Sequence, residues 1–183
     1  TYGANGLRGV YSRMAGLSPR GVGGFIVYRQ NHWAFEGADL YYGDVLGGSV
    51  PLVGFETDGI SYTFRQGLPF PVGDDGAPDD IEILAITPVT LEEEDHGHAG
   101  NLVSIGDGDL AFAAEALFGS DTAQHRDQLR YGSAVITSMR KGDGEVFCGG
   151  TTEWCHALAT GESQVETITH NVLQRFLGGE HAS

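Results

Sequence analysis

The amino-acid sequence predicts an α/β fold, a layered sheet with a C-terminal amphipathic helix. Three observations support this prediction. Residues 81–87 form an apolar run of strand length, residues 133–150 read as two strands around a tight turn, and residues 163–176 repeat apolar side chains at helical spacing. The chain has 183 residues, 40% of them apolar, which is enough for one domain with its own core. Residues 1–183 therefore read as a single domain, and the start at Thr1 rather than a methionine indicates either processing or a piece of a longer polypeptide.

The first half of the chain reads mostly as loops, with one early strand. Residues 1–24 are rich in glycine and arginine without a clear period, which predicts an extended loop segment. Residues 21–28 (GVGGFIVY) are typical of a glycine-led strand. Residues 50–58 have mixed strand and turn character, and residues 72–80 (VGDDGAPDD) predict an acidic, turn-rich loop.

The second half carries the clearer strand patterns. Residues 81–87 (IEILAIT) are apolar enough for a strand that is buried on both faces. Residues 110–118 fit either a helix or a strand. Residues 133–140 and 145–150 flank a tight turn at residues 141–144, which predicts a β-hairpin.

The final element is predicted to be an amphipathic helix. Ser163 and Glu166 have the spacing of a capping box, and Gly178 and Gly179 mark the end of the pattern. One face of this helix carries Val165, Ile168, Val172, Leu173 and Phe176. We expect that face to lie on the sheet.

The charge and cysteine content limit the possible partners and compartments. Ten basic residues against 25 acidic ones give a net charge of −15, which repels phosphate backbones and argues against nucleic-acid binding. The sequence shows neither a signal peptide nor a run long enough to span a membrane. Its two cysteines, Cys148 and Cys155, are too few for a disulfide framework. We therefore expect a soluble cytoplasmic protein in which Cys148 is a small buried residue.

The stretch NHWAFEGAD, residues 31–39, places Glu36 next to Trp33 and Phe35. If the segment folds inward, the aromatic rings leave the carboxyl group poorly hydrated. A carboxyl group in such surroundings holds its proton more tightly and can act as a general acid or base near neutral pH. The alternative is a surface glutamate whose aromatic neighbours turn the other way, which is the usual position of a charged side chain.

Two further segments contain possible catalytic or metal-binding groups. His96 and His98 are two residues apart and could hold a metal with a third ligand from Glu94, Asp95 or elsewhere, although such sequences are common in solvated loops. Thr1 could act as an N-terminal nucleophile with its own amine as the base. The alternative is that Thr1 marks only a cloning or proteolytic boundary.

Residues 149–155 (GGTTEWC) follow a predicted strand and precede the final helix. In sheets of the parallel type, ligands bind in a crevice at this position, so Glu153 or His156 could face a binding site. The alternative is a packing corner anchored by Trp154.

Five stretches taken in order resemble a known enzyme family. They are GLRGVYSRMAGLSP, NHWAFEGADLYYGDVLGG, VGFETDG, GEVFCGGTTEWCHAL and ITHNVLQRFL. Together they resemble the C-terminal part of the large subunit of N,N-dimethylformamidase and its amidohydrolase relatives. The resemblance implies a class I glutamine amidotransferase-like domain and hydrolysis of a small amide by a metal-activated water.

The resemblance also implies roles for particular residues and for other chains. The family's acid/base glutamate aligns with Glu36, and His32, Trp33 and Phe35 are the expected substrate-binding residues. The family holds a mononuclear iron through two tyrosines and a glutamate, but those segments lie upstream of anything found here, and no metal ligand is assigned in this chain. In this chain, Tyr2, Tyr41 and Tyr42 do not match the family's ligand tyrosines. We therefore expect one subunit or fragment of an enzyme whose remaining site residues lie on a partner chain. The alternatives are a hydrolase that uses Thr1 and a non-catalytic binding or assembly subunit.

Overall fold

The computed structural model describes residues 24–47, 50, 52–53, 57–90 and 107–178. Within these ranges the chain forms a five-stranded antiparallel sheet, a separate two-stranded hairpin, four α-helices and one short 3-10 helix. The predicted α/β fold is confirmed. The glutamine amidotransferase-like architecture that the resemblance implies stays a prediction, as does the choice between a single domain and a fragment.

The main sheet contains five strands, in the spatial order β2-β1-β5-β6-β7. Their bounds are Phe25–Val27 for β1, Val45–Leu46 for β2, Glu82–Thr90 for β5, Tyr131–Lys141 for β6 and Gly144–Cys148 for β7. All four pairings in this sheet are antiparallel. The expectation that residues 149–155 border a ligand-binding crevice was based on parallel sheets, so it does not apply to this antiparallel sheet.

The buried strand predicted at residues 81–87 and the predicted hairpin are both confirmed. Strand β5 lies between β1 and β6 and is buried on both faces. Leu84 belongs to the core cluster on the helical side, whereas Ile83 and Ile86 belong to the cluster on the opposite side. Strands β6 and β7 pair from Lys141 and Gly144 onward, so two residues close the turn.

A second hairpin, β3 (Tyr62–Arg65) with β4 (Leu68–Pro71), was not predicted. Gln66 and Gly67 both have positive φ angles, of 52° and 83°, as two-residue hairpin turns require. The prolines in LPFP argue against a strand, and they are tolerated here because the hairpin has only two strands. Arg29 connects this hairpin to the sheet, because its side chain donates to the Ile83 carbonyl (3.1 Å) and to a carbonyl of β4 (3.0 Å).

The four helices are α1 (Asp107–Phe118), α2 (Ala123–Arg130), α3 (Trp154–Thr160) and α4 (Ser163–Phe176). Helix α1 decides the open choice between helix and strand for residues 110–118. Helices α2 and α3 were not predicted.

The C-terminal helix α4 is confirmed, but its predicted capping box is wrong. The N-cap residue is Glu162, and Ser163 is already the first residue of the helix. Val165 and Ile168 are fully buried in the cluster that also contains Phe25 and Leu84 of the sheet. The predicted packing of α4 on the sheet therefore holds for its first half, while Leu173 and Phe176 in its second half are exposed.

Several predictions concern residues outside the described ranges. Of the predicted loop segment 1–24 only Gly24 is described, and the stretch from 91 to 106, which contains His96 and His98, is not. The predictions for that loop, for Thr1 and for the histidine pair therefore stay predictions. None of the helices in the described part of the chain has the length and apolar character that a membrane span requires.

Candidate functional site

The predicted site residues lie together on one turn of 3-10 helix, Trp33–Phe35. His32 is its N-cap, and its imidazole accepts a hydrogen bond from the backbone N–H of Ala34 at 3.2 Å. Glu36 is its C-cap, and the N–H of Glu36 donates to the Trp33 carbonyl at 3.3 Å. An N-cap side chain that accepts a backbone N–H begins this turn, and a glycine just beyond the C-cap ends it.

Helix α4 fixes the 3-10 helix in place through one side chain that the sequence analysis missed. The amide nitrogen of Asn171 donates to the carbonyls of Ala34 (3.1 Å) and Glu36 (2.7 Å). So short a helix leaves such carbonyls without partners of its own, and Asn171 satisfies two of them. In the sequence, Asn171 is marked only as a polar residue three positions after Ile168, beside the apolar face of α4.

Phe35 anchors the turn in the core. Its side chain is 3% exposed and belongs to the main cluster, together with Ala34 and Ala38. Phe35 therefore supports the site from below, and its predicted contact with a substrate stays a prediction.

Glu36 is solvent-exposed. Phe35 points into the core and Trp33 packs toward α4, so the two rings do not enclose the carboxyl group in this chain. The poorly hydrated surroundings expected from the sequence are therefore not formed by these neighbours. Its assignment as the acid/base residue stays a prediction that depends on what covers this surface.

Trp33 is held between two elements by a charged pair that the sequence analysis missed. The guanidinium of Arg175 lies 4.7 Å from the centre of the Trp33 ring. Arg175 also forms a two-pronged ion pair with Glu145 of β7, with Nη2 to Oε1 at 2.7 Å and Nε to Oε2 as the second contact. This pair lowers the pKa of Glu145 and raises that of Arg175. Both stay charged at neutral pH and hold the indole ring in a fixed position.

Three open depressions meet at the 3-10 helix. The largest, of about 750 Å³, is lined by residues that include Asn31, Glu36, Asp39 and Tyr41. A second, of about 700 Å³, extends toward Tyr28, Tyr42 and Leu68, and a third, of about 290 Å³, reaches the Glu145–Arg175 pair. His32 and Trp33 line all three depressions. The first two have the volume of ordinary small-molecule sites.

The pKa of His32 is strongly lowered in the folded chain. Burial, then the positive charge of Arg175 and of Arg29, lower its pKa to about 4, while Glu145 acts in the opposite direction. The ring is therefore neutral at physiological pH.

The segment after β7 forms a packing corner. The indole N–H of Trp154 donates to Thr169 Oγ1 at 2.9 Å, and its ring packs against Phe147. Beside this corner, the thiol of Cys148 donates to Asp58 Oδ2 at 3.1 Å. Burial and the Asp58 carboxylate raise the pKa of Cys148 to about 12, so this thiol is not a nucleophile at neutral pH.

The described residues were compared with the metal sites that histidine, cysteine and carboxylate side chains form. Within the described ranges, no three or more His, Cys, Asp or Glu side chains are grouped in a way that could hold a metal ion.

Comparison with known proteins gives one match. Residues 3–169 match the family model described as N,N-dimethylformamidase beta subunit-like, C-terminal. The matched range includes the 3-10 helix and all five strands of the main sheet, and it ends within α4. The description names a beta subunit, whereas the sequence analysis named the large subunit. The comparisons with curated proteins and with solved structures give no match.

Proposed function

The chain belongs to the N,N-dimethylformamidase beta subunit-like, C-terminal family, and from this premise we propose that it is part of a hydrolase that cleaves the C–N bond of small amides. The observation that carries the proposal is the family match over nearly the whole chain. The depression beside the 3-10 helix supports it, because this depression has the size of a small-molecule site and contains a carboxylate.

Glu36 is the proposed acid/base residue. Its carboxylate takes a proton from the water that attacks the amide carbon, and the C–N bond breaks as the proton passes to the leaving nitrogen. The products are a carboxylic acid and an amine. Because Glu36 is exposed in this chain, the reaction requires a further protein surface that covers the depression and excludes bulk water.

We propose that a partner chain supplies this covering surface and the remaining site residues. Tyr41 and Tyr42 beside the depressions are 65% and 53% exposed, which gives apolar area for such a contact. The iron that the resemblance implies would be held by residues of the partner chain. A reducing compartment such as the cytoplasm suits the two free cysteines.

The test uses the assembly purified from its native source, with metal analysis and identification of co-purifying chains by mass spectrometry. Formate and dimethylamine are measured after addition of N,N-dimethylformamide. Glu36→Gln should abolish turnover with the thermal midpoint unchanged, whereas the control Glu115→Gln, at an exposed site on α1, should be fully active. Near-normal activity of Glu36→Gln would remove Glu36 from the mechanism. Failure of the intact assembly to cleave any small amide would overturn the function.

The second candidate is a non-catalytic binding or assembly subunit, and the exposure of Glu36 and of the neighbouring tyrosines is the observation in its favour. In that role Glu36 makes an ion pair with the partner, so Glu36→Gln should weaken the assembly and lower its thermal midpoint. A catalytic Glu36 should leave assembly intact. A hydrolase based on Thr1 stays the third prediction, and chemical blocking of the N-terminal amine tests it.

A further inference from the structure

The imidazole of His32 is held in one tautomer by its cap bond. A backbone N–H can only donate, so the nitrogen that faces the Ala34 N–H at 3.2 Å, Nδ1, must carry a lone pair. The proton of the neutral ring is then on Nε2. A metal ion on Nε2 would require the opposite tautomer, whose Nδ1–H would face the Ala34 N–H. The cap bond therefore also argues against a metal-ligand role for His32.

Aromatic neighbours limit the movement of this ring. The imidazole centre lies 4.9 Å from the Trp33 ring at a 40° tilt and 6.5 Å from the Phe35 ring near a right angle. Phe35 is fixed in the core, and Trp33 is fixed by Arg175. The direction of the Nε2–H bond is thus set by the fold before any ligand arrives.

The ring borders all three depressions, and among the described residues no hydrogen bond to its Nε2 is seen. Burial, assisted by two nearby arginines, lowers the pKa of His32 and keeps the ring neutral. Arg175 on α4 and Arg29 after β1 disfavour a second proton, Glu145 on β7 favours one, and burial outweighs each of them. The remaining charged residues around the third depression are Asp80, Glu82 and Arg140. A neutral N–H donor of fixed direction is therefore available at the wall that Glu36 also lines.

We infer that His32 is a further catalytic residue of the proposed amidase, and that its Nε2–H donates a hydrogen bond to the carbonyl oxygen of the amide. This inference rests on the proposed function. As water adds to the carbonyl carbon, that oxygen becomes an oxyanion and the hydrogen bond strengthens. His32 keeps its proton throughout, while the proton of the water moves through Glu36 to the leaving nitrogen. The favoured substrates are neutral amides, since the donor is uncharged and the exposed carboxylate repels anions.

Two substitutions separate the cap function of His32 from its donor function. His32→Asn keeps an oxygen acceptor for the Ala34 N–H, because asparagine is among the best N-caps, but its amide does not reach the Nε2 position. His32→Gln can place an N–H near that position but is a poor cap. Both are made in the full assembly, and kcat, KM, iron content and thermal midpoint are measured.

For His32→Asn we expect kcat to fall roughly 100- to 1000-fold, the usual loss for one oxyanion donor. KM, iron content and thermal midpoint should stay close to those of the native assembly. His32→Gln should have a lower thermal midpoint but a higher kcat than His32→Asn. A kcat within twofold of native for His32→Asn would overturn the inference. The inference would also be overturned if the loss of kcat in both variants simply followed the loss of thermal midpoint, since a purely structural histidine would give that result.

The tautomer is tested without any turnover. Nitrogen-15 NMR of the labelled assembly should show His32 with its proton on Nε2, and this signal should not titrate between pH 8 and 5. A proton on Nδ1, or a titration near the ordinary histidine pKa, would overturn the inference. These results are distinct from failure of the proposed function. If the intact assembly cleaves amides and His32→Asn is as active as native, only the role of His32 is lost.

Discussion

Acidification should destabilise the folded chain through His32. In the folded state burial and the nearby arginines lower the pKa of His32 from 6.5 to about 4. Between these two values the unfolded chain binds a proton that the folded chain excludes. The free energy of unfolding therefore falls as the pH drops below about 6.5. The stability that depends on a neutral His32 is lost in full below about pH 4.

The magnitude follows from the same two values. One pKa unit corresponds to about 1.4 kcal/mol. The difference between 6.5 and about 4 sets an upper value of roughly 3 kcal/mol. Solvent reaches part of this half-buried ring, so we expect a loss of roughly 2 kcal/mol.

Urea denaturation at a series of pH values from 8 to 4, on the native chain and on His32→Asn, measures this loss. The variant keeps the cap acceptor but cannot titrate in this range, and every other ionisable group is common to both proteins. The difference between their free energies of unfolding should be constant above about pH 7. On acidification to pH 4, the native chain should lose roughly 2 kcal/mol more of its free energy of unfolding than the variant does. A difference that does not change with pH would refute the argument, because the ring would then titrate alike in the folded and unfolded chains.

Two further predictions concern the sheet and the cysteines. Gly150 has a φ of +72°, and a Cβ there would lie 2.1 Å from the Val135 carbonyl oxygen, so Gly150→Ala should cost more than about 2 kcal/mol of stability. Gly142→Ala, at a φ of +59° with open space around it, should cost only about 1 kcal/mol in the same denaturation assay, and equal losses would contradict this account. In native protein at pH 8, a thiol reagent should modify the exposed Cys155 quickly and Cys148 only after unfolding, because the pKa of Cys148 is raised to about 12. Equal modification rates of the two cysteines in native protein would disprove this protection.

The sequence predicted the elements whose signals are local. The apolar run of β5, the hairpin around residues 141–144 and the periodic helix α4 each appear close to the expected position. The hairpin β3–β4 was missed because its two prolines normally argue against a strand, although the Gln66–Gly67 turn carries a usable signal. The capping box failed because Ser163 lies one position inside the helix that it was expected to cap.

The sequence indicated the residues of the candidate site but not the distant groups that hold them in place. His32, Trp33, Phe35 and Glu36 are neighbours in sequence, so their aromatic and acidic pattern was visible directly. The groups that hold them in place, Asn171 and the Glu145–Arg175 pair, contact them across more than 100 residues of chain, and no local pattern reports such a contact. The exposure of Glu36 was equally hidden, because the direction of Phe35 is decided by the core and not by its neighbours in sequence.

The contrast between the supported and the open side of this turn indicates how the chain would work in an assembly. On one side Asn171, the buried Phe35 and the stacked Arg175 fix the backbone, the indole and the imidazole without any ligand. On the other side Glu36 faces solvent. Catalysis by oriented groups requires rigidity before binding and exclusion of water after it. This chain supplies the rigidity. Under the proposed function, a partner that binds over Glu36 would exclude the water, because it would dehydrate the carboxylate and complete the pocket in one step.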